Sequence, residues 1–119
     1  MLNVMKNENQ KFWPPHLPRE LTVPNTSISR NLAISAERYP QKTAIVFYDT
    51  KITYFQLLSE VQILSSYLQQ SCNLQKEDRV LLDMQNSPQF IIAYYGILFA
   101  GGIVVPVNPM SVTHEIKHY

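Results

Sequence analysis

The chain has 119 residues, 45% apolar and 16% charged, with ten Lys and Arg against nine Asp and Glu. That length supports one domain burying roughly 65% of the surface its unfolded chain exposes, and the apolar share excludes a disordered chain. A net charge of +1 leaves no electrostatic footprint for nucleic acid or anionic lipid. Three glycines are few for a backbone phosphate cradle, and one cysteine, Cys72, excludes an internal disulfide framework and fits a reducing compartment. Such a low charge content suits a chain that hides much of its surface or belongs to something larger.

Residues 1–11 contain no apolar stretch long enough for a signal-peptide core, so no targeting signal is expected there and the cytoplasm is the default compartment. The glycosylation match at Asn25-Thr26-Ser27 has meaning only on export. Four of the eight prolines, Pro14, Pro15, Pro18 and Pro24, fall within residues 12–24. Proline fixes φ and lacks an N–H, so residues 1–25 are expected to be an extended arm. That arm lies on the protein surface through Phe12, Trp13 and Leu17. Pro15 to Pro18 also matches a ligand for a proline-reading domain, a common accident of sequence.

Thr26 or Ser27 caps a first helix in which Ile28, Leu32 and Ala36 recur every four residues, with Ser29, Arg30, Glu37 and Arg38 opposite, until Pro40 stops it. Residues 43–48 are β-branched and aromatic and read as a strand. A turn at 49–51 leads into a short Ile52-Thr53 strand, as in a hairpin. Thr53 and Gln56 fit a capping box for a second helix, whose apolar stripe runs through Leu57, Leu58, Val61, Leu64, Leu68 and Cys72. This places the Cys72 thiol on the buried side, as core and not as a nucleophile. Lys76 to Arg79 read as a solvated turn and Val80 to Met84 as a strand. Ser87-Pro88 starts a helix that runs to about Ala100 and ends at Gly101-Gly102. Ile103 to Val107 is apolar and β-branched, the pattern of a strand covered on both faces. A last helix begins near Ser111 or Thr113. The order predicts an α/β fold, a partial doubly wound and mostly parallel sheet with flanking helices. The arm covers 1–25 and the α/β unit 26–119.

Residues 90–107 are almost wholly apolar and long enough to span a bilayer. Gly101-Gly102 would then lie within the span, and the β-branched run after them favours a buried helix followed by a buried strand. His114-Glu115-Ile116-Lys117-His118 matches H-E-x-x-H. Two histidines at i and i+4 share a helix face and can hold zinc, with the glutamate as general base. A catalytic zinc needs a third protein ligand, and the remaining histidine, His16, lies in the proline-rich arm. The expectation is therefore no metal site, with residues 114–118 the polar side of an amphipathic helix. No phosphate-binding or nucleophile motif stands out, and no catalytic, cofactor-binding or metal-ligating residue is assigned. In an open α/β sheet, ligands bind beyond the carboxyl ends of strands. The loops there are Gln85 to Pro88 and Asn108 to Ser111. Asn86, Ser87, Asn108 and Ser111 can offer hydrogen bonds, though capping and turn formation explain all four more simply.

Six stretches in succession carry a family pattern. They are Arg38 to Ile45, Ile52 to Leu57, Lys76 to Val80, Gln85 to Phe90, Gly96 to Gly102 and Val105 to Pro109. Together, over residues 26–119, they resemble the amino-terminal segment of an adenylate-forming acyl-CoA synthetase, nearest to the fatty-acid CoA ligases. Glu77 departs from the pattern, which usually has Gly before Asp-Arg-Val. The resemblance implies an ATP-dependent ligase that uses magnesium, activates a carboxylic acid as an acyl-adenylate and passes the acyl group to coenzyme A. It also implies that the phosphate loop, adenine site and catalytic lysine lie downstream. This chain would then be an inactive scaffold, partnered by the remainder of its own polypeptide. The alternatives are a stand-alone α/β interaction module and a truncated zinc hydrolase using residues 114–118. Apolar residues in the Ser87–Ala100 helix and the Ile103–Val107 strand expect cover from elsewhere, so the chain alone is expected to self-associate.

Overall fold

The computed structural model describes residues 12–18 and 23–118. The other residues of the amino-terminal arm, including those read for a targeting signal, lie outside the described residues. Within the arm, the Leu17 N–H donates to the Pro14 carbonyl at 3.1 Å, and the Trp13 indole N–H donates to the Leu17 carbonyl at 3.3 Å. The prolines thus build a local turn.

Eight elements follow: α1 (Ile28–Arg38), β1 (Thr43–Phe47), β2 (Thr50–Thr53), α2 (Tyr54–Gln70), β3 (Arg79–Asp83), α3 (Pro88–Phe99), β4 (Ile103–Val107) and α4 (Thr113–His118). The helix starts follow side-chain chemistry. Ser27 Oγ accepts from the Arg30 N–H at 3.1 Å, and Ser87 Oγ from the Phe90 N–H at 3.2 Å with Pro88 in the first turn. Thr53 and Gln56 form the expected capping box.

The four strands form two separate pairs, an antiparallel β1–β2 hairpin and a parallel β3–β4 pair joined through α3. The hairpin is tighter than the sequence suggests. Phe47 pairs with Thr50, so the loop is Tyr48-Asp49, with Tyr48 at φ 50°.

The core forms where α1, α2, α3 and the hairpin meet. Leu32, Leu57 and Val61 are buried together, with Ile45, Ile52, Ile91, Tyr95 and Phe99 packed against them. Each such side chain, once buried, contributes roughly 1.5–3 kcal/mol. Helices α2 and α3 approach closely at Gly96, where a Cβ would stand 2.8 Å from Leu64 Cδ2.

Two expectations are corrected. Cys72 is exposed. Helix α2 ends at Gln70, and Asn73 adopts the left-handed φ of 54° that Asn tolerates, so the 3.6-residue spacing no longer applies where Cys72 sits. Strand β4 is not covered on both faces, because Ile103 and Pro106 are exposed, Val104 and Val105 half-buried and only Val107 buried. Helix α3 covers the pair from one side, and an apolar face including Leu81 and Ile103 stays open. The long apolar run divides into a twelve-residue helix and a strand, and no described helix is long and apolar enough to cross a membrane.

Candidate functional site

The parallel pair runs in register from Arg79 opposite Ile103 to Asp83 opposite Val107. Both strands therefore end at one level, and their loops leave side by side. The first loop turns into α3 at Ser87, and the second turns into α4. Between them lies a cleft of about 390 Å³ lined by Met84, Gln85, Asn86, Asn108, Pro109 and Met110. This is the carboxyl-end crevice that open α/β sheets use for ligands.

Of the four residues singled out from sequence, Asn86 and Asn108 line this cleft, while Ser87 and Ser111 do not. Ser87 is occupied as the α3 cap. Asn108 Oδ1 accepts from the Met110 N–H at 3.0 Å, and the Asn108 carbonyl accepts from the Ser111 N–H at 2.8 Å, so Asn108 shapes its own turn. The exposed Gln85 and Asn86 side-chain amides hydrogen-bond to no described residue and are free to serve a ligand. Met84, Pro109 and Met110 supply the apolar part of the lining. No sequence motif marks these three. Their signal is position alone, immediately after two paired strands.

The lining carries no ionised side chain and no nucleophile. It can orient a neutral polar group through amide donors and acceptors. On its own it does not fit a triphosphate, which calls for cations or a helix-start cradle of N–H groups, nor a magnesium ion, which binds through carboxylates.

The H-E-x-x-H match lies on α4, six residues long. Glu115 Oε2 accepts from the Val112 N–H at 2.9 Å, which ties the carboxylate to the start of that helix. Ile116 is half-buried, and His114 and His118 are exposed. Among the described residues no three His, Cys, Asp or Glu side chains gather as a metal set, so His16 does not join the pair on α4.

Two loops at the ends of a parallel pair, backed by a crossover helix and preceded by a capped hairpin, define an α/β segment with a carboxyl-end crevice. Residues 32–119 match the AMP-binding enzyme family, and the chain belongs to that family. It is 46% identical over 116 residues to a long-chain-fatty-acid CoA ligase of Bacillus subtilis, a match covering 93% of this chain and 20% of the relative. It is 36% identical over 109 residues to the ligase of the same description from Yersinia pestis, covering 91% of this chain and 19% of the relative. Among solved structures, the N-terminal subdomain of Klebsiella oxytoca NpsA superposes with a TM-score of 0.71 at 30% identity, over 76% of this chain and 23% of that one. The chain thus spans about a fifth of the length of the curated relatives it matches.

Proposed function

We propose that this chain is the amino-terminal scaffold of an ATP-dependent fatty-acid CoA ligase that works in the cytoplasm through an acyl-adenylate. The observation that carries the proposal is the 46% identity to a long-chain-fatty-acid CoA ligase across 93% of the chain. The family supports ATP, magnesium and coenzyme A as the reactants of the whole enzyme, with the fatty acid as acyl donor. The residues of this chain do no bond-making. The α2–α3 layer supports the β3–β4 pair, and the pair presents Asn86 and Asn108 at one edge of a larger site. The rest of a ligase polypeptide is the partner that supplies the reacting groups.

The test is a chimera in which residues 26–119 replace the matching stretch of the Bacillus subtilis ligase. Fatty-acid-dependent pyrophosphate release and acyl-CoA formation within about tenfold of the parent enzyme are expected. The isolated chain is expected to release no pyrophosphate above a protein-free blank. A folded, monodisperse chimera that forms no acyl-CoA overturns the proposal and favours a stand-alone interaction module.

A further inference from the structure

Helix α3 is composed for a deeper interior than this chain gives it. Its twelve residues carry no charge, and a helix that is apolar nearly all round belongs to the core of a larger body. Here Pro88, Gly96 and Ile97 are buried, while Ile92 and Ala93 are half-buried. Those two stand in one wall of an open groove of about 820 Å³.

Helix α2 lines the same groove with Ile63 and Tyr67, which are 62% and 57% exposed. Leu57 and Val61 of α2 already make the core of this chain, so Ile63 and Tyr67 are a second apolar line on one helix. The β2 stretch Thr50 to Ile52 contributes to the rest of the lining. Lys51 on β2 and Glu60 on α2 are the charges of the groove, and both are exposed. Neither pairs with a described residue.

We propose that in the whole ligase this groove is filled by the polypeptide that follows residue 119, through an apolar segment laid between α2 and α3. The inference rests on the reading of this chain as the amino-terminal part of a ligase. Two observations favour that occupant over a separate molecule. The chain spans about a fifth of the matched relatives, so the remainder of a ligase is long and covalently attached. Attachment presents it to the groove at roughly millimolar effective concentration. The walls also call for permanent cover. An interface that forms and parts is about as polar as the rest of a protein surface, whereas an uncharged α3 facing Ile63 and Tyr67 has the composition of an interior. Lys51 and Glu60 then make the polar rim of the seam.

The test is the reactivity of a thiol placed in the groove, compared between the 119-residue chain and the chimeric ligase that carries residues 26–119. Ile63→Cys and Tyr67→Cys are each made with Cys72→Ser, because Cys72 is itself exposed. Gln62→Cys, exposed and outside the groove lining, reports the access of the reagent to α2. Maleimide labelling is followed by the mass of the α2 peptide. In the isolated chain both groove thiols should label as fast as Gln62→Cys. In the chimera both should slow at least about 100-fold, since a covered thiol reacts only through local opening, while Gln62→Cys keeps its rate. Equal labelling at all three positions in a folded chimera overturns the proposal. So does slowing of Gln62→Cys to the same degree, or protection already present in the isolated chain, which would mean that the chain or a second copy fills the groove. Acyl-CoA formation by the chimera is read separately. An active chimera with open groove thiols rejects this inference and leaves the ligase reading standing, and an inactive one with protected thiols supports the seam and rejects that reading.

Discussion

Thr53 and Gln56 exchange two hydrogen bonds across the start of α2. The Gln56 N–H donates to Thr53 Oγ1 at 3.2 Å, and the Thr53 N–H donates to Gln56 Oε1 at 2.9 Å. Thr53 is also the last residue of β2 and pairs with Thr43, so the exchange fastens helix to hairpin. The adjoining Tyr54 and Phe55 N–H groups donate to the carbonyls of Lys42 and Pro40, both at 3.0 Å. Thr53→Ala removes a cap acceptor and is expected to cost about 1 kcal/mol, while Thr53→Ser retains most of the stability. Urea unfolding followed by circular dichroism measures both. Equal midpoints for the wild type and Thr53→Ala would show that the junction is held by the backbone bonds alone.

Glu77 is the position where the sequence departs from the family pattern, and its φ is 71°. The left-handed region costs a residue with a Cβ about 1–2 kcal/mol, whereas glycine enters it freely. The turn is pinned, because the Glu77 N–H donates to the Gly101 carbonyl at 2.9 Å and Gly101 itself has φ 88°. Glu77→Gly is therefore expected to stabilise the chain by up to about 1 kcal/mol, after the larger backbone entropy of glycine in the unfolded state is subtracted. That corresponds to a rise in Tm of about 4 °C. Glu77→Ala keeps the Cβ and should show no such gain. A Tm for Glu77→Gly at or below the wild-type value contradicts the strain reading.

Local chemistry was legible in the residues. Ser27, Thr53 and Ser87 each announce a helix start because a cap is decided within three residues of itself. Cys72 was misread because a helical stripe tells where side chains point only while the helix lasts. The end of α2 depends on Asn73 turning left-handed and on Gln69 reaching the Ala100 carbonyl, 31 residues away. The division of four strands into two pairs was equally hidden, since strand pairing is a long-range choice that no single strand encodes. The sequence places Asn86 and Asn108 in loops beyond strand ends and reads them as turn and cap residues; that the two loops share a cleft follows from the parallel pairing of β3 with β4.

The Asn86 side chain lines the cleft, is exposed and hydrogen-bonds to no described residue. Its removal should leave folding untouched, within about 0.5 kcal/mol. Asn108 differs, because its carboxamide holds the Met110 N–H, and Asn108→Ala should loosen that loop and cost about 1 kcal/mol. In the chimeric ligase, Asn86→Ala is expected to lower kcat/KM by about five- to tenfold at unchanged Tm, about 1–1.4 kcal/mol of lost transition-state binding. Wild-type kinetics for Asn86→Ala would remove the cleft from the site of the enzyme.

Gly96 and Leu64 set the distance between α2 and α3. A Cβ on Gly96 would lie 2.8 Å from Leu64 Cδ2, 3.1 Å from its Cγ and 3.3 Å from its Cβ. Rotation of the leucine end relieves the first of these contacts but not the last, since Cβ moves only with the backbone of α2. In an exposed helix, replacing Gly with Ala gains about 1 kcal/mol. Here overpacking costs about 1–3 kcal/mol against that gain, so Gly96→Ala is expected to destabilise the chain by about 1 kcal/mol. Leu64→Ala removes Cγ and both Cδ atoms, leaving room for the new methyl. In that background the same Gly96→Ala change should be neutral or stabilising. The reversal of sign is a coupling of about 1–2 kcal/mol, within the range for residues in direct contact. Four urea curves, of the wild type, the two single variants and the double variant, measure it. An equal effect of Gly96→Ala in both backgrounds would show that the two helices meet through other side chains and that Leu64 yields freely.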